Sequence, residues 1–312
     1  MRIVFCGTPE FAVPSLRRLA SGPGISVEAV ITQPDRPRGR GQHVSSSPVK
    51  EAALAENLHV YQPETIKSDS AQEFLKRVGP DAVVIIAYGQ IIPGRLLTIP
   101  RLGWINLHAS LLPRYRGAAP IHWAIANGET TTGLTTMQID AGMDTGPTLL
   151  QHELKIGADE TSPELAARMS EIGAGLIVDS LVRLDRGEIF PQPQDSEKVS
   201  YAPILKKENG RIDWTRTAEQ IYNRMRGFAP WPGAYSTFRG QTCHLWGRPE
   251  KIEAAERSGV TGEIVSSAKD VFVVCGEGTH LRLEFVQIEG RKRISAREFA
   301  NGARFNPADR FV

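Results

Sequence analysis

Residues Asp81–Gly89 read DAVVIIAYG, and Gly103–Ala109 read GWINLHA. The first is a continuous apolar run, and the second is apolar apart from one asparagine and one histidine. Half-buried strands alternate apolar and polar residues. A run apolar on both faces belongs to a strand covered from both sides, as in a parallel sheet flanked by helices. MRIVFCG (Met1–Gly7) and VEAVITQ (Val27–Gln33) read the same way. Helical patterns fall between these runs. SPVKEAALAENL has Ser47 as N-cap and Pro48 at the first helical position, and SDSAQEFLKRVG stops at Gly79. GLTTMQID and TLLQHELKI add two strands. The long helix TSPELAARMSEIGAGLIVDSLVRLDRG opens on Thr161 and Glu164, three apart as in a capping box. The front of the chain is therefore expected to be α/β, a Rossmann-like and mostly parallel sheet under helices.

The pattern changes after Gly187. EIFPQPQDSEKVSYAPILKKENG is rich in Pro and polar residues and has no period, so 190–208 reads as a linker across the surface. An amphipathic helix, TAEQIYNRMRGF, follows, with Ala218, Ile221, Tyr222, Met225 and Phe228 on one face. Short strand candidates come next: GAYSTF, TCHLWG, GEIV, VFVVCG and HLRLEFVQI, separated by Gly-containing turns. SAREFANG closes the series as a short helix with a capping box of Ser295 and Glu298. Such short strands predict a small β-barrel. The expected domains are 1–189 and 209–312.

A length of 312 residues suits two domains. At 41% hydrophobic and 23% charged, the composition is that of an ordinary globular protein. No run approaches the roughly 20 apolar residues of a membrane helix, so no membrane partner is expected. The first apolar run is too short for a signal peptide. Cys6, Cys243 and Cys275 are far apart and form no CxxC pair, which argues against disulfides and a cysteine zinc site and for a reducing, cytoplasmic setting. From Asn209 onward 16 Lys and Arg face 12 Asp and Glu, a balance of +4 that leaves −2 for the front part. That surplus is compatible with a polyanionic partner or with a solvated face.

The chain has no GxGxxG, GxxxxGK[ST], GxSxG or HExxH, and its seven histidines have no metal-ligand spacing. This disfavours a dinucleotide fold, a P-loop, a nucleophile elbow and a zincin, and no metal is expected. What remains is INLHASLLPRYRGAAP (Ile105–Pro120). Side chains alternate along a strand, so Asn106 and His108 share a side. Burying them unsatisfied would cost about 1–3 kcal/mol each. That cost falls away at the carboxyl end of a strand, where α/β sheets open into a ligand crevice. Satisfied core polar groups are the other reading. MQIDAGMDTGP puts Asp140 and Asp144 in a Gly-rich turn at another strand end, where plain turn chemistry also favours Asp. Asn, His and Asp together suit acyl chemistry: an amide donor for a developing oxyanion and an imidazole to stabilise charge or move a proton. No Ser or Cys is placed to attack, so the nucleophile belongs to the substrate. RPRGRGQ sets Arg36, Arg38 and Arg40 at alternate positions among Pro and Gly, as a flexible basic finger for a phosphate backbone or a solvated loop.

Eight segments carry a resemblance: FCGTPEFAVPSL, TQPDRPRGRGQ, SPVKEAAL, AYGQIIP, INLHASLLPRYRGAAPIHWAI, GLTTMQIDAGMDTGP, YAPILKKENGRIDW and GFAPWPGAY. Together they resemble the methionyl-tRNA formyltransferase family over nearly the whole chain. The core of Asn106, His108 and Asp144 with SLLP is similar to other enzymes that use 10-formyltetrahydrofolate, so it marks the reaction class and hardly the acceptor. The acceptor is marked by the Arg-rich loop and the C-terminal part.

The resemblance implies formyl transfer from 10-formyltetrahydrofolate to the α-amine of methionine on initiator tRNA. Asn106 would hold the formyl oxygen. His108, oriented by Asp144, would stabilise the tetrahedral oxyanion, and Asp144 would help move protons through water. Ser110, Leu111, Leu112 and Pro113 would line the folate pocket, with Tyr88, Gly89 and Asp140 as further walls. Arg36, Arg38 and Arg40 would meet the acceptor end of the tRNA, Arg40 above all. Lys206, Lys207, Arg291, Lys292 and Arg293 would contact phosphates from the linker and an OB-like barrel, or form a solvated charged face. Arg114 and Arg116 would meet the folate tail or the tRNA 3′ end, or serve as structural ion pairs. A monomer is expected. A sugar-nucleotide formyltransferase and a tRNA-binding module with an inactive core are the rival readings.

Overall fold

The computed structural model describes residues 1–38, 43–251, 259–267, 270–306 and 309–312. Their contacts form two units. One comprises Met1–Pro120, Thr131–Lys155 and Glu164–Pro203; the other comprises Ile121–Thr130, Ile156–Pro163 and Ile204–Val312. The segment read as a linker is thus shared, with 190–203 in the first unit and 204–208 in the second.

In the first unit, β1 (Arg2–Gly7) leads into α1 (Val13–Ser21) and β2 (Ser26–Ile31). Two short arms, β3 (Arg36–Arg38) and β4 (His43–Ser45), pair antiparallel with Arg36 opposite Ser45. The basic stretch is therefore not wholly loop: its arms pair with each other as a short local hairpin, which composition does not announce. Ser47 caps α2 (Pro48–Ala55) by accepting from the Lys50 N–H at 3.1 Å, and its hydroxyl also bonds that of Thr32 at 2.8 Å. β5 (Val60–Tyr61), α3 (Asp69–Val78), β6 (Ala82–Ile86), α4 (Gly94–Leu97) and β7 (Trp104–His108) follow. After α5 (Pro120–Ala126), most of which belongs to the second unit, come β8 (Thr131–Gln138), β9 (Thr148–Lys155) and the long α6 (Ser162–Asp185).

Among the described residues these strands make a seven-stranded sheet ordered β5-β2-β1-β6-β7-β8-β9. The first four pairings in that order are parallel and the last two antiparallel. The architecture is Rossmann-like. Burial explains the apolar runs. Val4 and Cys6 of β1, Ala29 and Ile31 of β2, and Val83 and Ile85 of β6 enter one core with Phe74, Leu75 and Trp104, while Ile3, Phe5 and Val84 are equally buried. Strand order reverses between β1 and β6, so the loops after β1, β2, β6 and β7 open at one edge where such sheets take ligands.

The second unit is built on α7 (Ala218–Gly227) and an antiparallel sheet. Its strands are β10 (Tyr235–Phe238), β11 (Gln241–Glu250), β12 (Ile264–Ser266), β13 (Val271–Val274), β14 (His280–Ile288) and β15 (Ile294–Ser295), and α8 (Ala296–Ala303) closes it. The order is β10-β11-β14-β13-β12, with β15 on β14. The sheet curls: the C-terminal residues bridge Phe238 to Phe311 beside β10 and Glu263 to Arg310 beside β12. Trp214, Ile221, Met225, Leu245, Val273, Leu283, Phe299 and Phe311 fill its core. Tyr222 lies at the edge of the helix face instead, its hydroxyl donating to Asp159 at 2.6 Å. The three cysteines are free and buried. No helix of the described residues is long and apolar enough to cross a membrane.

Candidate active site

Strand β7 delivers Asn106 and His108 to its carboxyl end from one side. His108 is 6% exposed, and its Nε2 lies 3.0 Å from the Tyr115 carbonyl. A carbonyl only accepts, so Nε2 carries the proton and Nδ1 is the nitrogen left without a backbone partner. Nδ1 faces Asp144 Oδ2 at 3.8 Å, within ion-pair range and beyond a hydrogen bond. The same Oδ2 accepts from the Gly117 N–H at 2.8 Å, and Oδ1 has no partner among the described residues. Asn106 is half-buried, and its amide makes no side-chain hydrogen bond among the described residues. An imidazole and a carboxylate are thus brought together beside an amide whose donors are unspent.

Asp144 arrives by an indirect route. Because β8 runs antiparallel to β7, the loop after β8 starts at the amino end of β7, where the Ile139 N–H bonds the Trp104 carbonyl at 2.8 Å. The loop then doubles back to bring Asp144 against His108. Asp140 and Asp144 do follow the carboxyl end of a strand, but that end lies beside the amino end of β7, since strand direction is set by distant pairing. Asp144 has φ +53°, a left-handed conformation that Asp tolerates better than most residues. Asp140 tightens the turn, accepting from the Gly142 N–H at 3.0 Å and the Thr145 hydroxyl at 2.6 Å.

The loop after β7 is heavily braced. The Ser110 hydroxyl is buried and donates to the Arg114 carbonyl at 2.5 Å. Thr135 on β8 accepts from the Leu112 N–H at 3.1 Å and donates to the Ser110 carbonyl at 2.7 Å, and Gln151 donates to the Leu112 carbonyl at 2.8 Å. The Leu112 side chain is buried, whereas Leu111 and Pro113 remain half-exposed. Arg114 is exposed, with its guanidinium 5.5 Å from the Tyr115 ring. Arg116 turns inward, 8% exposed, and bonds Gln194 through Nε at 3.1 Å and Nη2 at 2.7 Å. Ser200 and Ala202 stitch the loop from the other side through the N–H groups of Tyr115 and Ala119 and both backbone groups of Arg116.

After β6, the Tyr88 side chain lies in the core, 1% exposed, and burial pushes its phenol up. Its carbonyl accepts from the Thr8 hydroxyl and the Gln33 amide, each at 3.1 Å. Gly89 is exposed with φ +86°. Two exposed apolar residues flank these loops, Ile91 and Met143, at 77% and 59% exposure. Neither these two nor Gln151, Gln194 and Ser200 stand out in the sequence. An apolar residue inside a polar loop was the only available signal.

Of the basic residues, Arg36 is exposed and the backbone of Arg38 lies in β3. Arg40 lies outside the described residues. Lys206, Lys207, Arg291 and Lys292 are exposed in the second unit. Arg293 is also exposed, stacked over Trp246 and Phe285 at 4.2 and 4.1 Å from their ring centres. Among the described residues, no three His, Cys, Asp or Glu side chains gather as a metal site needs.

Comparison with known proteins agrees with this layout. Residues 1–181 match the formyl transferase family, and residues 204–304 match the formyl transferase C-terminal domain. Curated methionyl-tRNA formyltransferases from Solibacter usitatus and Koribacter versatilis are 53% and 50% identical, covering 97% and 99% of this chain and 96% and 98% of their own. The chain belongs to the methionyl-tRNA formyltransferase family. Membership places His108 and Asp144 in a formyl-transferring enzyme that uses a formyl-folate donor. The fold extends beyond methionyl-tRNA formyltransferases. An N-formyltransferase from Helicobacter canadensis, solved with folinic acid and dTDP-3-aminofucose, superposes with a TM-score of 0.65 at 18% identity, over 90% of this chain and 98% of its own.

Proposed function

We propose that the chain formylates the α-amine of methionine on initiator tRNA with 10-formyltetrahydrofolate, yielding N-formylmethionyl-tRNA for translation initiation in the cytoplasm, and that Asn106, His108 and Asp144 carry the step. The observation that carries this is His108 Nδ1 facing Asp144 at 3.8 Å in a chain similar along its whole length to methionyl-tRNA formyltransferases.

The folate supplies an activated formyl carbon. The polar groups fit it: an amide and a carboxylate oxygen without partners among the described residues, with exposed Ile91 and Met143 offering apolar surface for a flat ring. Asn106 donates toward the formyl oxygen as negative charge grows there, a contribution of about 10²–10³ in rate. His108, anchored through Nε2 and facing Asp144 through Nδ1, takes a proton at Nδ1 and, with that proton in place, donates to the same charge. Asp144 takes the proton of the attacking amine at Oδ1, directly or through water, and returns a proton to the departing N10. A new N–C bond forms as the N10–C bond breaks, with no redox change. Backbone groups of Gly89 and of Ser110 to Pro113 border the folate. Arg36, Arg38 and Arg40 meet the acceptor end of the tRNA, and Lys206, Lys207, Arg291, Lys292 and Arg293 add phosphate contacts from a C-terminal domain of OB-like barrel form. The enzyme acts as a monomer on one tRNA.

A small-acceptor formyltransferase has no use for three arginines at alternate positions, and the intact triad argues against an inactive binding module. The test is formyl transfer to methionyl initiator tRNA, methionyl elongator tRNA and an amino-sugar nucleotide in parallel. Selective formylation of the initiator is expected. Preference for the sugar nucleotide, or equal use of both tRNAs, would overturn the reading.

A further inference from the structure

We infer that Gln194 is a positioning residue for Asp144, an inference that rests on the catalytic reading above. Gln194 lies between the stretches that match the two family models, 1–181 and 204–304, in a segment with no chemistry assigned. Its carboxamide is fully used. Nε2 donates to the carbonyls of Asp144 at 2.8 Å and Gly146 at 2.7 Å. Oε1 accepts from Nε and Nη2 of Arg116. Carbonyls only accept and a guanidinium only donates, so turning the amide over would break all four bonds, and its orientation is fixed.

Asp144 is therefore gripped twice. Gln194 holds its backbone, whose φ of +53° needs an external restraint to persist. Gln194 also fastens Arg116, the residue before Gly117, and the Gly117 N–H holds Asp144 Oδ2 at 2.8 Å. The Arg116 guanidinium is buried and has no carboxylate within ion-pair range among the described residues, so Gln194 is what its side chain bonds. Loss of this one amide frees the carboxylate from both directions. Ser200 and Ala202 bind the same strap to the loop without touching Asp144.

A role through Asp144 and a merely structural role predict different couplings. The full-length wild type, Gln194→Met, Gln194→Glu, Asp144→Asn and the double variant Gln194→Met/Asp144→Asn are compared in formyl transfer from 10-formyltetrahydrofolate to methionyl initiator tRNA, alongside thermal melting. Gln194→Met lowers kcat about tenfold or more, in line with the cost of about 1 Å of misplacement, and leaves both KM values within about threefold. Gln194→Glu falls as far, because it keeps an acceptor for Arg116 but loses the donors to Asp144 and Gly146. In the Asp144→Asn background the Met substitution has less than about a twofold further effect. Gln192→Ala keeps wild-type turnover, since among the described residues that side chain bonds only the Phe190 carbonyl. Wild-type kcat in Gln194→Met, equal losses in both backgrounds, or a loss matched by the unfolded fraction would overturn the inference. Normal turnover in Asp144→Asn would instead sink the catalytic reading itself.

Discussion

His108 commits one ring nitrogen to a backbone carbonyl and turns the other toward Asp144, an arrangement that fixes ring angle and tautomer at once. The catalytic role proposed for it is tested by what an alanine would remove. His108→Ala and Asn106→Ala are each expected to lower turnover about a hundredfold or more, measured at saturating substrates with folding checked by circular dichroism. The thiols make the opposite prediction. Burial raises all three, Cys275 to about 12, so none offers a thiolate near neutrality. A thiol reagent at pH 8 should label none in the native protein and all three after denaturation. Their folded values lie above the unfolded value, so the stability they lend is whole below about pH 9 and is lost as pH rises toward the folded values.

At the scale of elements, the site depends on the loop after β7 being clamped. Gly117 has φ +120°, and a Cβ there would lie 2.6 Å from the Ala202 carbonyl. Gly117→Ala is expected to cost about 1–3 kcal/mol, a drop of several degrees in melting temperature, and to cut turnover because its N–H holds Asp144. Ser47→Ala removes the N-cap of α2 and the partner of Thr32, and should cost about 1–2 kcal/mol in the same assay without abolishing turnover. These braces mark the limit of what the chain discloses in one dimension. DAVVIIAYG and MRIVFCG announced a covered parallel sheet because burial on both faces leaves no polar alternation. Asn106 and His108 stood out because a polar pair interrupts an apolar strand. Asp144 was visible as a polar group in a Gly-rich turn, but the doubling back of its loop was not, since an antiparallel neighbour is a long-range fact. Gln194 was invisible: one amide in an aperiodic Pro-rich stretch looks like solvated chain, and its partners lie about fifty residues and more away.

At the scale of the molecule, each unit has its own core and the basic residues fall on both. A polyanionic acceptor touched at many phosphates makes each contact modest and salt-dependent. Arg36→Ala and Arg291→Ala should each raise KM for charged tRNA, flatten the dependence of log KM on log salt by about one charge, and leave KM for the folate unchanged. The measurement that bears most directly on the whole account is kcat for Asp144→Asn with 10-formyltetrahydrofolate and methionyl initiator tRNA both saturating. A fall of about a hundredfold or more with little change in either KM is predicted. A kcat close to that of the wild type would contradict it.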